Sequence, residues 1–137
     1  MSISYNKLWK LLADKNLKVD TGDVMEFLQG ETMKKTYNKL VRDRIPEIIE
    51  ASGNECKTAI LSDEEYLRML DAKLDEELAE YHKDQNIEEL ADLLEVIRAA
   101  AIARGCTPEE LENVRAKKAE KRGGFEKKIL LIETIEK

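Results

Sequence analysis

Cysteine, glycine, proline and histidine are all scarce in this chain. Its two cysteines, Cys56 and Cys106, are too few for a disulfide scaffold and lack metal-ligand spacing. Reduced thiols in a cytoplasmic protein are the simplest expectation. Six glycines and two prolines in 137 residues argue against a loop-rich or collagen-like chain. No window approaches about 18 apolar residues without charge, so no membrane span is expected. The opening Met1-Ser2-Ile3-Ser4-Tyr5-Asn6-Lys7 has no apolar core of a signal peptide. There is no Walker-type glycine-rich loop, and no nucleophile–base pair stands out. His82, the single histidine, reads as a bystander beside an acidic face.

Charge and helix formers are abundant. Charged residues make up 38% of the chain, against roughly 25% in an average globular protein. Hydrophobic residues still reach 42%, enough for a core. Lys and Arg number 23 and Asp and Glu 29, a net charge of −6 that disfavours nonspecific nucleic-acid binding. The distribution is uneven. Asp71 to Glu95 holds ten acids against Lys73 and Lys83. Lys34 to Arg44 and Asn113 to Lys128 lean basic. An acidic centre between basic arms suits a metal-dependent phosphate site, and solvated helix faces give the same pattern.

The pattern predicts a mainly α fold. Two short helices are expected within residues 1–32, which read as an N-terminal extension separate from a domain over 33–137. Tyr5-Asn6-Lys7-Leu8 recurs as Tyr37-Asn38-Lys39-Leu40, but the residues after each copy differ, so no structural repeat is assigned. Pro46 suits the first turn of a helix running to Gly53. Ser62 with Glu65 forms a capping box. It opens a helix whose Leu67, Leu70, Leu74, Leu78 and Tyr81 make one apolar stripe. Asn86 with Glu89 caps the next, with Ile87, Leu90, Leu94, Ile97 and Ala101 on one side and a stop at Gly105. Thr107, Pro108 and Glu110 open a third long helix that ends at Gly123-Gly124. The apolar tail from Phe125 to Ile135 is expected to pair with Lys57 to Leu61 as a small β-ribbon.

The two central helices meet at a connector near Asp84 to Asn86 and should run antiparallel. In such a hairpin, residues at one level share an index sum, and Glu80 with Glu89 has the same sum as Glu77 with Asp92. Within each helix the acids lie three apart, on one face. Two acids per helix therefore stand at two matched levels, roughly 4.5 Å apart along axes that lie about 8–10 Å from each other. Four carboxylates so placed repel one another, and divalent oxygen-seeking cations would remove that cost. The same acids also fit a solvent-facing arrangement, with Glu88 and Glu89 favouring a helix N-terminus.

Glu76-Glu77-Leu78-Ala79-Glu80 followed by Glu89-Leu90-Ala91-Asp92 resembles the Glu-Glu-x-x-Glu … Glu-x-x-Asp signature of all-α nucleoside triphosphate pyrophosphohydrolases, the superfamily of MazG-like proteins and phosphoribosyl-ATP pyrophosphohydrolase. Tyr37-Asn38-Lys39-Leu40-Val41-Arg42-Asp43-Arg44-Ile45-Pro46 resembles the opening motif of the house-cleaning branch, and Lys118 to Phe125 its closing motif. The resemblance covers about Met33 to the end. It implies Mg²⁺-dependent (or Mn²⁺-dependent) cleavage of a nucleoside triphosphate, noncanonical or surplus, to monophosphate and pyrophosphate. It implies Glu77, Glu80, Glu89 and Asp92 as metal ligands and Glu76 as the acid that orients or deprotonates water. Lys39, Arg42, Lys118 and Arg122 become phosphate holders, and Asn38 a contact to base or sugar. It further implies that the helical hairpin completes a four-helix bundle by pairing subunits, as a homodimer or a dimer of dimers, with basic residues reaching across from a neighbouring chain.

The extension falls outside the resemblance. Tyr5 to Leu12 faintly resembles the first helix of phage-type helix-turn-helix regulators, with no recognition helix before Met33. It supports a second reading: a non-catalytic helical interaction module, or a DNA-linked regulatory one whose nucleic-acid affinity would fall steeply with salt.

Overall fold

A computed structural model describes residues 34–137. The helices expected within 1–32, and the extension they would form, lie outside the described residues. Four helices run in order: α1 (Ile45–Ala51), α2 (Asp63–Asp84), α3 (Ile87–Ala103) and α4 (Pro108–Arg122). None is long and apolar enough to cross a membrane. The fold is mainly helical, with no strand among the described residues.

Each long helix begins where side-chain oxygen can satisfy its first N–H groups. The Glu65 backbone N–H donates to Ser62 Oγ at 3.2 Å, and the Ser62 hydroxyl donates to the Glu65 carboxylate at 3.0 Å. The Glu89 N–H donates to Asn86 Oδ1 at 2.9 Å. Thr107 and Glu110 satisfy each other reciprocally, a full capping box. Pro46 and Pro108 sit in first turns, where a missing N–H costs nothing. Gly105 and Gly123 come after α3 and α4 with φ of +84° and +81°, a conformation that strains any residue with a Cβ.

α2 and α3 form the hairpin, and among the described helices α4 packs on α3 alone. The connector between α2 and α3 is two residues long. Gln85 turns the chain in the left-handed region (φ 49°, ψ 38°) while its N–H still donates to the Tyr81 carbonyl at 2.7 Å. So tight a turn forces antiparallel neighbours and fixes the register of the two helices.

The layer between them is unusual. Among the described residues the fully buried apolar side chains are Ile45 and Leu70, whereas Lys73, Glu77 and Glu89 are buried and charged. The expected stripe on α3 faces outward: Leu90, Leu94 and Ile97 are 40%, 57% and 38% exposed. Glu89, one position earlier, turns inward at 1%. Residues 57–61 and the tail beyond Phe125 run without helix or strand, so the expected β-ribbon is absent from the single chain. Ile60 is 98% and Ile132 86% exposed. A lone two-stranded ribbon with no third strand or helix to cover it is marginal in water.

Gln85 offers a check on the turn. A left-handed residue with a Cβ costs about 1–2 kcal/mol, and glycine removes that cost while adding unfolded-state entropy. Gln85→Gly should therefore stabilise the chain by up to about 1 kcal/mol, read as a raised urea midpoint with unchanged slope.

Candidate functional site

The inward acids converge. Carboxylate oxygens of Glu77, Glu89 and Asp92 lie within 4.8 Å of one another, and so do those of Glu80, Asp84 and Glu89. Glu89 belongs to both groups and joins them into one patch of five carboxylates. The matched levels expected from the index sums are thus present: Glu80 meets Glu89, and Glu77 meets Asp92. The patch adds Asp84, which the sequence pattern places in the connector. Its signal is the four-residue step from Glu80 along one helix face.

Two features decide how the patch should be read. Glu77 and Glu89 are 2% and 1% exposed, positions where a carboxylate is rarely found unless paired. Glu80 Oε2 is buried with no hydrogen-bond donor among the described residues, an arrangement that native structures avoid because the lost hydration is not replaced. The donor set is all oxygen, which suits a hard divalent cation and not a thiolate- or imidazole-seeking one. The donor chemistry and the Glu80 oxygen are compatible with a hard divalent cation.

Cations from two directions border the acids. Lys73, one turn before Glu77 on α2, is 9% exposed. Its Nζ lies 3.3 Å from Glu76 Oε2 and 3.5 Å from Glu77 Oε1. The other two come from the segment before α1. Lys39 Nζ donates to Glu76 Oε1 at 3.1 Å, and Arg42 donates to Asp92 Oδ1 at 2.7 Å. Ile45, 3% exposed, anchors that segment at the start of α1. The first basic arm of the sequence thus reaches the acidic centre.

The remaining expected residues divide. Glu76 stands beside the carboxylate patch and has each oxygen held by a different lysine. Asn38 adopts a left-handed backbone (φ 47°) and, with Lys39, Lys73 and Glu76, lines a recess of about 250 Å³. Lys118 and Arg122 lie exposed on α4 and form no ion pair within the described residues. Among the described residues the closing motif's Lys118 and Arg122 therefore make no ion pair with the acid patch. His82 is exposed with its ring against Tyr81 and joins neither acid group. Partial burial and the neighbouring Glu110 push the Cys106 thiol up, which keeps it protonated and a poor nucleophile. Lys73, like Asp84, is a site residue that sequence reasoning misses. Its spacing of three and four before Glu76 and Glu77 is visible in the chain, but its burial depends on the packed hairpin.

No protein-family model matches the chain, and no solved structure matches it. A stretch of 42 residues is 64% identical to an uncharacterised protein of Mycolicibacterium smegmatis (strain ATCC 700084 / mc(2)155), covering 31% of this chain and 43% of that protein. The chain spans less than half the length of the curated relative it matches.

Lys73 compensates buried negative charge, so its removal is informative. Lys73→Met leaves Glu77 without that cation and should destabilise the chain by roughly 3 kcal/mol, the cost of breaking a buried pair from one side. Arg42→Met, at a half-exposed side chain, should cost under about 1 kcal/mol. Urea unfolding of both variants reads the difference.

Proposed function

We propose that the chain is a Mg²⁺-dependent nucleoside triphosphate pyrophosphohydrolase, acting on noncanonical or surplus nucleotides and releasing monophosphate and pyrophosphate. The observation that carries the reading is a carboxylate patch that is buried at Glu77 and Glu89 and in which one Glu80 oxygen has no donor among the described residues, bordered by Lys39, Arg42 and Lys73. Acids bury at such cost only where counter-charge arrives. Cations at the rim of an acidic patch suit an anion that comes with its own divalent metal.

Glu77, Glu80, Glu89 and Asp92 would hold the metal, with Asp84 beside them. A bound divalent ion would supply charge neutralisation at the phosphates and a lowered pKa for water. The chain's own residues do the positioning, which is most of what phosphoryl transfer asks of a protein. Arg42 can fork two bonds to phosphate, whereas Lys39 and Lys73 act as point charges. Phosphate oxygens compete with Glu76 for Lys39. When that lysine turns to substrate, Glu76 Oε1 is freed to orient the attacking water and accept its proton. The water oxygen then bonds to phosphorus as the α–β phosphoanhydride breaks.

The test couples stability to turnover. An ion at about a hundred times its dissociation constant stabilises the folded form by about 2.7 kcal/mol. Mg²⁺ or Mn²⁺ should raise the melting temperature by several degrees, and Glu80→Gln with Asp92→Asn should abolish the rise. A triphosphate panel with Mg²⁺ should yield pyrophosphate. Orthophosphate alone would mean different phosphatase chemistry. An inert helical interaction module gives neither turnover nor metal-linked stabilisation.

The reading includes a homodimer or dimer of dimers, in which Lys118 and Arg122 serve a neighbouring subunit's acids. It is supported by apolar surface that a lone chain leaves wet. The α3 stripe is open, and Phe125, Ile129, Leu130, Leu131, Ile132 and Ile135 are 75–97% exposed. A standard interface needs about 800 Å² per partner, and side chains of this size supply area of that order. Light scattering should report a dimer or larger species that Leu94→Asp disrupts; a wild-type monomer at working concentration removes this part of the reading.

A further inference from the structure

Two cations of the segment before α1 are tied to acids that a divalent ion would also claim. We infer that residues 34–44 act as a strap over the carboxylate patch, held by the Lys39–Glu76 and Arg42–Asp92 ion pairs and released when a divalent cation binds the acids. The inference rests on the pyrophosphohydrolase reading in one respect, that the patch receives such a cation.

The acids are shared. Asp92 belongs with Glu77 and Glu89 to a group whose oxygens lie within 4.8 Å of one another, and its Oδ1 accepts from Arg42 at 2.7 Å. Glu76, next to Glu77 on α2, accepts from Lys39 through Oε1 at 3.1 Å. An ion of charge +2 drawn to Glu77, Glu89 and Asp92 stands beside the Arg42 guanidinium and repels it. It also supplies the counter-charge that Arg42 gives Asp92. Strap and ion therefore compete for the same negative charge.

The three bordering cations are not held alike. Lys73 is buried, its backbone is part of α2, and its Nζ lies near both Glu76 and Glu77. Lys39 and Arg42 stand on a segment with neither helix nor strand. Their side chains are 25% and 51% exposed. Ion pairs open to water are weak and easily screened, so these two ties yield before the Lys73 one.

The strap has a fixed end and a bend. Ile45 is buried, and its N–H donates to the Arg42 carbonyl at 3.1 Å, which pins the strap where α1 begins. Asn38 bends it through a left-handed backbone, φ 47°. Asn38, Lys39 and Leu40 form one side of the recess, and Met69, Ala72, Lys73 and Glu76 of α2 form the other. One wall of the recess is thus the strap itself, and its release opens the recess. Lys39 and Arg42, once off the acids, can turn to the phosphates of a substrate.

Chemical footprinting of the full chain reads the strap without turnover. Acetylation with an amine-reactive ester reports Lys39, and phenylglyoxal reports Arg42, each resolved by mass spectrometry. Saturating Mg²⁺ should raise the reactivity of both several-fold over KCl at matched ionic strength, while Lys73 stays protected. Arg42→Met should bind Mg²⁺ about two- to fivefold more tightly than the wild type, the worth of an exposed pair that no longer has to be broken. The Mg²⁺ dependence of the melting temperature reads that affinity. The same variant should raise Lys39 reactivity without added metal. A melting temperature that rises with Mg²⁺ while Lys39 and Arg42 keep their reactivity overturns the strap and leaves the metal reading standing. An Arg42→Met variant that binds Mg²⁺ no more tightly, or an equal gain of reactivity in KCl, overturns the strap as well. Neither a melting shift nor a change in reactivity strikes the carboxylate reading together with the strap.

Discussion

Charge buried between two antiparallel helices is the constraint on which the rest of this structure depends. Glu77 and Glu89 face each other from α2 and α3 at almost no exposure, and Glu80 adds an oxygen that no donor among the described residues reaches. Removing an ionised carboxylate from water costs several kcal/mol after relaxation. Lys73 repays part of that from within the hairpin, and Arg42 contributes at Asp92 from outside it. A helical pair built for stability alone would place leucines at these levels. This one keeps acids there and displaces its apolar stripe to the outer face of α3.

The remainder of the architecture serves that arrangement. A two-residue connector with Gln85 left-handed sets the register, so the carboxylates meet in matched levels and do not slip past one another. The segment before α1 has no regular structure of its own and is fixed by Ile45 and by its two cations on the acids. The same lysine pair that neutralises Glu76 also lines the recess. Charge balance and recess shape are therefore coupled.

Much of this is legible in the chain alone. Ser62, Asn86 and Thr107 announce the three long helices because a cap is a local event, settled by residues three apart. The Glu77, Glu80, Glu89 and Asp92 grouping rests on helix period plus a short connector, again local information. Lys39 and Arg42 stand out through motif resemblance, and both reach the acids. Asp84 and Lys73 give no comparable signal, because each looks like an ordinary helix charge until its neighbours are packed. Apolar β-branched content in Ile129 to Ile135 suggests a strand, but a strand needs a covered face, which the single chain does not provide.

Sequence by itself determined where the helices begin and end, that the central pair must be antiparallel, and which acids share a level, because all three are fixed by interactions within a turn or across a tight loop. Tertiary structure decided which face of α3 turns inward. It also decided that Lys73 and Glu89 are buried, that the opening segment folds onto α2, and that, among the described residues, Lys118 and Arg122 pair with none of the patch acids. Those outcomes depend on contacts between residues tens of positions apart, where the cost of burying a charge is set by which neighbours arrive to compensate it.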